Sequence, residues 1–278
     1  MTTTTPAADT TTRRGSNHLR SARRRDLNRL RAFNAAALAL ATLGSASIAE
    51  AGVSAAITWQ TAQTITGDSD VQTAGTLAYA YTFGSSAVSA TTVNGVNFAA
   101  FGISPTQSPV TVGNLTLSES PGYLNPATGL GASGTPYTSL SAGYQSLLGE
   151  GASSSLPTTI TVTLAGLTAG RQYSLQWWSS NSSGNTPFGA DLSSTTAYDA
   201  FSNQVTLSST AGGIGQYVVG TFTATGSIEF FNLESPSGFT APLMNALQLR
   251  DITPTGVPGG AGLAGLLALG SAGRRRRR

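Results

Sequence analysis

The sequence predicts an all-β domain, a single antiparallel β-sandwich, flanked by an N-terminal signal helix and a short C-terminal transmembrane helix. Three observations lead there. From Ala56 to Thr253 the chain is a series of short runs rich in Thr, Ser, Val and aromatics, separated by Gly, Pro and Asn. Within it, Thr158 to Leu164 alternates Ile160, Val162 and Leu164 with Thr159, Thr161 and Thr163, the pattern of a half-buried strand. The arginines lie almost entirely outside it: eight before Phe33 and five at Arg274 to Arg278, with only Arg171 and Arg250 between.

Along the domain, Ala90 to Phe101 contains Asn94-Gly95, the preferred pair for a type I′ turn, and reads as a hairpin. Ile103 to Leu156 is rich in turns, with Ser139 to Leu148 forming a short helix that puts Leu140, Tyr144, Leu147 and Leu148 on one face. After the Thr158 strand, Leu167-Thr168-Ala169-Gly170-Arg171-Gln172-Tyr173 has the spacing of a corner in which a Tyr hydroxyl ties a loop to the next strand. On that strand Tyr173, Leu175 and Trp177 share one face, so Trp177 is assigned to the core and Trp178 points the other way. Further strands are predicted at Gln204–Ser208, Gly215–Ala224, Ser227–Leu233 and Met244–Ile252, about ten in all with no long helix between them.

The N-terminal end has the tripartite pattern of a secretory signal: a basic segment ending Arg29-Leu30-Arg31, an apolar stretch from Ala32 to Leu43, then small residues. Ala49-Glu50-Ala51 fits a cleavage site with the cut after Ala51, and Ser47-Ile48-Ala49 is the alternative. Arg24-Arg25-Asp26-Leu27 loosely resembles a twin-arginine signal, so both export routes stay open. At the other end, Pro258 to Gly273 carries no charge and is followed by Arg274, Arg275, Arg276, Arg277 and Arg278. As a helix it spans about 24 Å, and the arginine run would stop translocation.

Val257-Pro258-Gly259-Gly260, the short Gly/Ala/Leu span and the final arginine cluster resemble the PEP-CTERM sorting signal of bacterial surface proteins, with Val257-Pro258-Gly259-Gly260 where that family has Pro-Glu-Pro. The resemblance implies a transient membrane anchor, processing by an exosortase-type enzyme, and delivery to the cell surface or an extracellular polysaccharide matrix. An ordinary, permanent tail anchor is the other reading. The body resembles the jelly-roll, galactose-binding-like modules of exported bacterial proteins, on Gly67-Asp68-Ser69-Asp70-Val71, Thr92 to Phe98, Gly166 to Tyr173 and Asn245-Ala246-Leu247-Gln248-Leu249-Arg250. That resemblance implies carbohydrate binding and, in many members, a structural calcium.

Composition narrows the chemistry. The whole-chain charge of +3 belongs to the two ends; from Gly52 to Thr253 two arginines face nine acids, a net of −7. A body without a basic patch is not a nucleic-acid binder. There is no Cys, and the single His, His18, lies in the leader, which excludes disulfides, thiolate sites and a Ser-His-Asp triad in the mature body.

Asp68 and Asp70, two residues apart after a Gly, form a candidate calcium loop, although a full site needs six or more oxygens. A solvated turn capped by Asp and Ser is the plainer reading. Trp178, Tyr198 and Phe201, with Asn181 and Asp199 nearby, form a candidate sugar-stacking surface, and Trp59 is assigned to the core. Asn185, Asp191 and Asn203 lie in the same stretch. Glu229 with Glu234 is the nearest approach to a glycosidase pair, but their five-residue offset puts them on opposite strand faces.

The leading expectation is a non-catalytic exported surface or matrix protein that binds carbohydrate weakly. A structural or adhesive protein without a ligand pocket and an exported carbohydrate-active enzyme are the alternatives. Intact-mass measurement of protein recovered from cells should give a chain that begins at Gly52 and lacks Arg274 to Arg278; an intact arginine tail in all material leaves only a simple anchor.

Overall fold

A computed structural model describes residues 54–131, 134–154, 158–181, 194–210, 213–236 and 241–254. The expected cleavage site at Ala49 and Ala51, the sorting segment Val257, Pro258, Gly259 and Gly260, Arg274 to Arg278, and Asn185 and Asp191 lie outside the described residues. Among the described residues no helix is long and apolar enough to cross a membrane.

The alternating stretch is strand β10 (Ile160–Ala165), whose Ile160, Val162 and Leu164 are buried while Thr161 and Thr163 are half-buried. It lies inside a six-stranded antiparallel sheet between β15 (Ile228–Glu234) and β7 (Leu115–Glu119). β12 (Ser194–Tyr198) and β13 (Gln204–Ser208) extend that sheet on one side, and β6 (Val110–Val112) closes the other. The second large sheet has eight strands. Its path is β1 (Thr58–Trp59), β14 (Gln216–Thr223), β11 (Gln172–Ser179), β17 (Ala246–Asp251), β3 (Thr76–Ser85), β5 (Val96–Ile103) and β4 (Thr91–Val93), with β2 (Gln63–Thr64) also paired to β14. A third sheet is made of β16 (Leu243–Met244), β9 (Glu150–Ser154) and β8 (Leu124–Thr128).

The fold is therefore all-β, but it is not purely antiparallel. β3 pairs β5 in parallel, Tyr81 opposite Ala99 through Ser85 opposite Ile103. After β3 the chain skips one position, runs down the edge as β4, and turns back at Asn94-Gly95 into the gap beside β3. Both turn residues have the left-handed conformation a type I′ hairpin needs, with φ of 48° and 73°. One hairpin placed this way makes β5 run the same way as β3.

Inward side chains of the two large sheets enter one apolar cluster, among them Phe83, Phe101, Leu175, Trp177 and Leu247 from the eight-stranded sheet and Leu117, Val162, Phe231 and Leu233 from the six-stranded one. A second cluster covers the other face of β11. It gathers Trp178, Phe98, Tyr137, Tyr144, Leu147 and Leu148 beneath the 3-10 turn Tyr137–Ser139 and helix α1 (Ala142–Leu148). The Ser141 hydroxyl caps α1 by accepting from the Tyr144 amide at 3.2 Å. Leu140, Tyr144, Leu147 and Leu148 are all buried, as their spacing predicts. The Tyr corner forms: the Thr168 amide donates to the Tyr173 hydroxyl at 2.9 Å.

Two buried polar side chains join these layers. Asn245 accepts from the Ser180 amide (2.6 Å) and donates to the carbonyls of Leu148 (3.0 Å), Glu150 (2.9 Å) and Ser180 (3.2 Å), tying the end of α1 to the third sheet and to β11. Arg250, buried and without an acidic partner among the described residues, donates to the carbonyls of Thr73, Ala74 and Gly75 and holds the loop before β3 against the sheet.

Asn245→Ala should orphan a buried amide and three buried carbonyls, lowering unfolding free energy by about 3 kcal/mol or more in urea titrations. Asn245→Asp should do at least as much harm, because it turns an oxygen toward those carbonyls.

Candidate functional site

Five residues, Asp199 to Asn203, join β12 to β13; the Asp199 amide donates to the Asn203 carbonyl at 3.1 Å, which leaves a three-residue tip built around Asp199. The Ser202 amide donates to the Asp199 carbonyl at 3.2 Å, and Ser202 then takes φ of 65°. This is a type I turn followed by one left-handed residue, the usual form of a three-residue hairpin. One Asp199 carboxylate oxygen accepts from the amides of Phe201 (2.8 Å) and Asn203 (2.9 Å); the other accepts from the Ile57 amide (2.7 Å) and Asn203 Nδ2 (2.8 Å). Burial by itself raises this carboxyl's pKa, but the bonds from Ile57, Asn203 and Phe201 outweigh it and hold the pKa below the ordinary 3.8.

The result is a stiff turn that presents Phe201 to solvent, 53% exposed. Next to it lies a shallow pocket of about 300 Å³ lined by Ile57, Thr58, Trp59, Asn203 and Gln204. Trp59 is half-buried: its ring meets Phe231 edge-on at 5.8 Å, and its Nε1 donates to the Asn203 carbonyl at 3.2 Å. The ring lies over Gly220, where any Cβ would come within 2.7 Å of it, so the absence of a side chain at 220 lets Trp59 reach the pocket. Trp59 and the amides of Asn203 and Gln204 thus line one pocket, and the same hairpin carries the exposed Phe201 two residues before Asn203. That set can pack on a sugar ring and bond its hydroxyls.

The other residues proposed for this surface fall elsewhere. Trp178 is 0% exposed and donates its Nε1 to the Tyr144 hydroxyl at 2.9 Å, so it is core and not a stacking platform. Period-two alternation says which face a residue is on, not whether that face is covered. Asn181 is buried, its amide donating to the Ser209 carbonyl. Tyr198 is half-buried at the end of β12, opposite Gln204 and Asn232. Asp199 is buried and organises the turn, with no oxygen left facing solvent for a ligand. Of the predicted set, Phe201 alone is presented outward.

Asp68 and Asp70 form a 3-10 turn (Asp68–Asp70). The Asp70 carboxylate accepts from Thr66 N (2.6 Å), Thr66 Oγ1 (2.8 Å) and Gly67 N (3.0 Å), closing its own loop. With both Asp70 oxygens engaged, Asp68 is the one free carboxylate there, which does not fit the oxygen count of calcium. No group of three or more His, Cys, Asp or Glu able to hold a metal occurs among the described residues. Glu229 is fully buried on the same face as Phe231 and Leu233, where it accepts from the Ser54 hydroxyl and the Ala55 amide; Glu234 lies on the opposite face.

Sequence reasoning missed the contribution of the β1 edge. Thr58 and Trp59 lie more than 140 positions before Asn203, and no local pattern joins them; the acid at 199 facing the Ile57 amide does. Neither the protein-family models, nor curated proteins, nor solved structures contain a match to this chain.

Asp199→Ala should lower stability by about 1–3 kcal/mol at neutral pH, because buried amides lose their acceptor. The sign with pH follows from the depressed pKa. Asp199's contribution is complete above the ordinary 3.8 and is lost as pH falls through the lower folded value, so the gap between wild type and variant should close in acid. Urea midpoints measured from pH 7 downward test this.

Proposed function

We propose that this chain is an exported, non-catalytic surface or matrix protein whose β-domain binds neutral carbohydrate weakly at the Phe201 turn. One observation carries the reading: a large aromatic side chain is held in solvent by a turn that four hydrogen bonds to the Asp199 carboxylate close, on the hairpin that supplies Asn203 and Gln204 to the Trp59 pocket. Rigid presentation reduces the ordering cost of binding, and that favours a recognition role over accidental exposure. A sandwich of jelly-roll type is the arrangement we infer for the domain, supported by the single apolar cluster that inward residues of both large sheets enter.

The carboxylates support a non-catalytic role. Glycoside hydrolysis uses two carboxyl groups about 5–9.5 Å apart across a cleft. Glu229 is buried on backbone and hydroxyl donors, Glu234 faces away from it, and Asp199 is enclosed by four hydrogen bonds. Export, processing by an exosortase-type enzyme and a transient or permanent C-terminal anchor rest on the composition of the two ends. The alternative of a purely structural or adhesive protein shares those ends and differs in having no ligand.

Retention on immobilised neutral polysaccharides, with and without calcium, tests the reading on protein recovered from cells. Phe201→Ala should weaken retention about ten-fold or more, since burying a Phe face contributes about 1.5–3 kcal/mol, while leaving the unfolding midpoint unchanged. Equal retention of wild type and variant removes the Phe201 site. No retention on any polysaccharide leaves the structural alternative.

A further inference from the structure

We propose that the Phe201 pocket is one end of an extended track that takes an internal stretch of a neutral polysaccharide chain, running round the β1 edge onto the outer face of the eight-stranded sheet. The inference rests on the carbohydrate reading of that pocket and adds its extent and the charge of its ligand. Three cavities meet in series. The Phe201-side pocket of about 300 Å³ shares Thr58 with one of about 420 Å³, which shares Thr221 and Ile252 with a third of about 380 Å³. Each falls within or near the volume range of ligand sites, and together they offer consecutive places along one path.

The floor of the path is set by strand register. Thr58 on β1 is opposite Thr221 on β14, and Thr221 is opposite Ser174 on β11, so three hydroxyl residues cross three strands in one row. Thr223 follows on the same face. The hydroxyls of Thr58, Thr221 and Thr223 have no hydrogen-bond partner among the described residues. A threonine hydroxyl both donates and accepts, as a sugar hydroxyl does.

The far wall is the loop before β3, and it is rigid. Arg250 holds its carbonyls at 73, 74 and 75, Gln176 Nε2 donates to the Asp70 carbonyl at 2.7 Å, and Gln248 Nε2 donates to the Gln72 carbonyl at 3.2 Å. Helix α1 and this loop cover much of the rest of that face. The track mixes hydroxyl and amide side chains with apolar ones, among them Ala56 and Ile252, as the two faces of a sugar ring require.

Charge selects the occupant. The body carries nine acids and two arginines, yet among the described residues no ionisable side chain lines any of the three cavities. A uronic-acid or phosphate polymer would be met by no cation, and a basic peptide by no acid. A neutral polyhydroxylated chain leaves no desolvated charge unpaired on either side.

The test is calorimetric titration of the full protein with neutral cello- and malto-oligosaccharides from dimer to octamer, and with the carboxymethylated polymer. Affinity should rise about ten-fold or more between dimer and hexamer as further cavities are filled. Thr221→Trp, or Thr223→Trp at an exposed position that tolerates bulk, should abolish that rise while leaving dimer affinity unchanged. Phe201→Ala should weaken every length. Phe201-dependent binding that is equal at all lengths, or is insensitive to both Trp variants, overturns the track and spares the Phe201 pocket. Absence of Phe201-dependent binding overturns both. Equal affinity for the carboxymethylated polymer overturns the neutral assignment, and a dimer in solution that Thr221→Trp dissolves gives the face to a second copy of the chain.

Discussion

Trp177 and Trp178 are adjacent on one strand, both are fully buried, and they belong to different cores. Consecutive side chains on a strand point to opposite faces, so β11 must be covered on both sides for this to hold. Each ring removes roughly 200 Å² from water, worth about 5 kcal/mol before ordering costs are counted. The rest of the architecture follows from keeping both faces dry. The six-stranded sheet covers one. Helix α1, the Tyr137 turn and the loop before β3 must cover the other, and each needs a tether because none is part of a sheet.

The tethers are polar, and they share one device. Asn245, Arg250, Asp199 and Glu229 are all buried, and each bonds at least one backbone group of a distant segment rather than an opposite charge. Burial lowers the Arg250 pKa from its usual value, but three carbonyls accept hydrogen bonds from the guanidinium in place of water. A buried ion pair would have brought two desolvated charges into the interior, where mutual attraction often fails to offset the loss of water. Single charges on backbone partners bring one, and they also use up carbonyls and amides that loops would otherwise leave unpaired. A domain with so few charged residues has the means for this and little else: among the described residues its ion pair is Arg171 with Asp251 at 2.6 Å, near the surface, where such pairs contribute little.

This division explains what could be read in the sequence. The Ile160 strand, the Asn94-Gly95 hairpin, the Tyr173 corner and the Leu140 to Leu148 helix are local patterns, and each stands where its pattern puts it. The parallel pairing of β3 with β5 was not legible, since it depends on where a hairpin docks and not on what it contains. Trp178 is readable as facing away from Trp177, but its cover comes from distant residues, among them Phe98, Tyr137 and Tyr144 before it and Ile214 after it. The candidate site divides in the same way. Phe201 could be picked out as an aromatic in a polar loop. Thr58, Thr221 and Ser174 carry no signal singly and become a row only through the register of three strands.

Asp199 connects the two levels. Its carboxylate spans 142 positions to the Ile57 amide while closing the turn that presents Phe201. One side chain therefore fixes the edge strand that supplies Thr58 and Trp59 and the loop that supplies Phe201 and Asn203. A ligand surface assembled from two segments would ordinarily have to order them on binding, at about 0.5–1.5 kcal/mol for each immobilised side chain. Here folding has already ordered them. On the proposed carbohydrate reading, a weak ligand making few contacts is held because little of its binding energy is spent on arranging the protein. The carboxylate that looked like a ligand-binding acid in the sequence acts instead from inside, by keeping the surface in one shape.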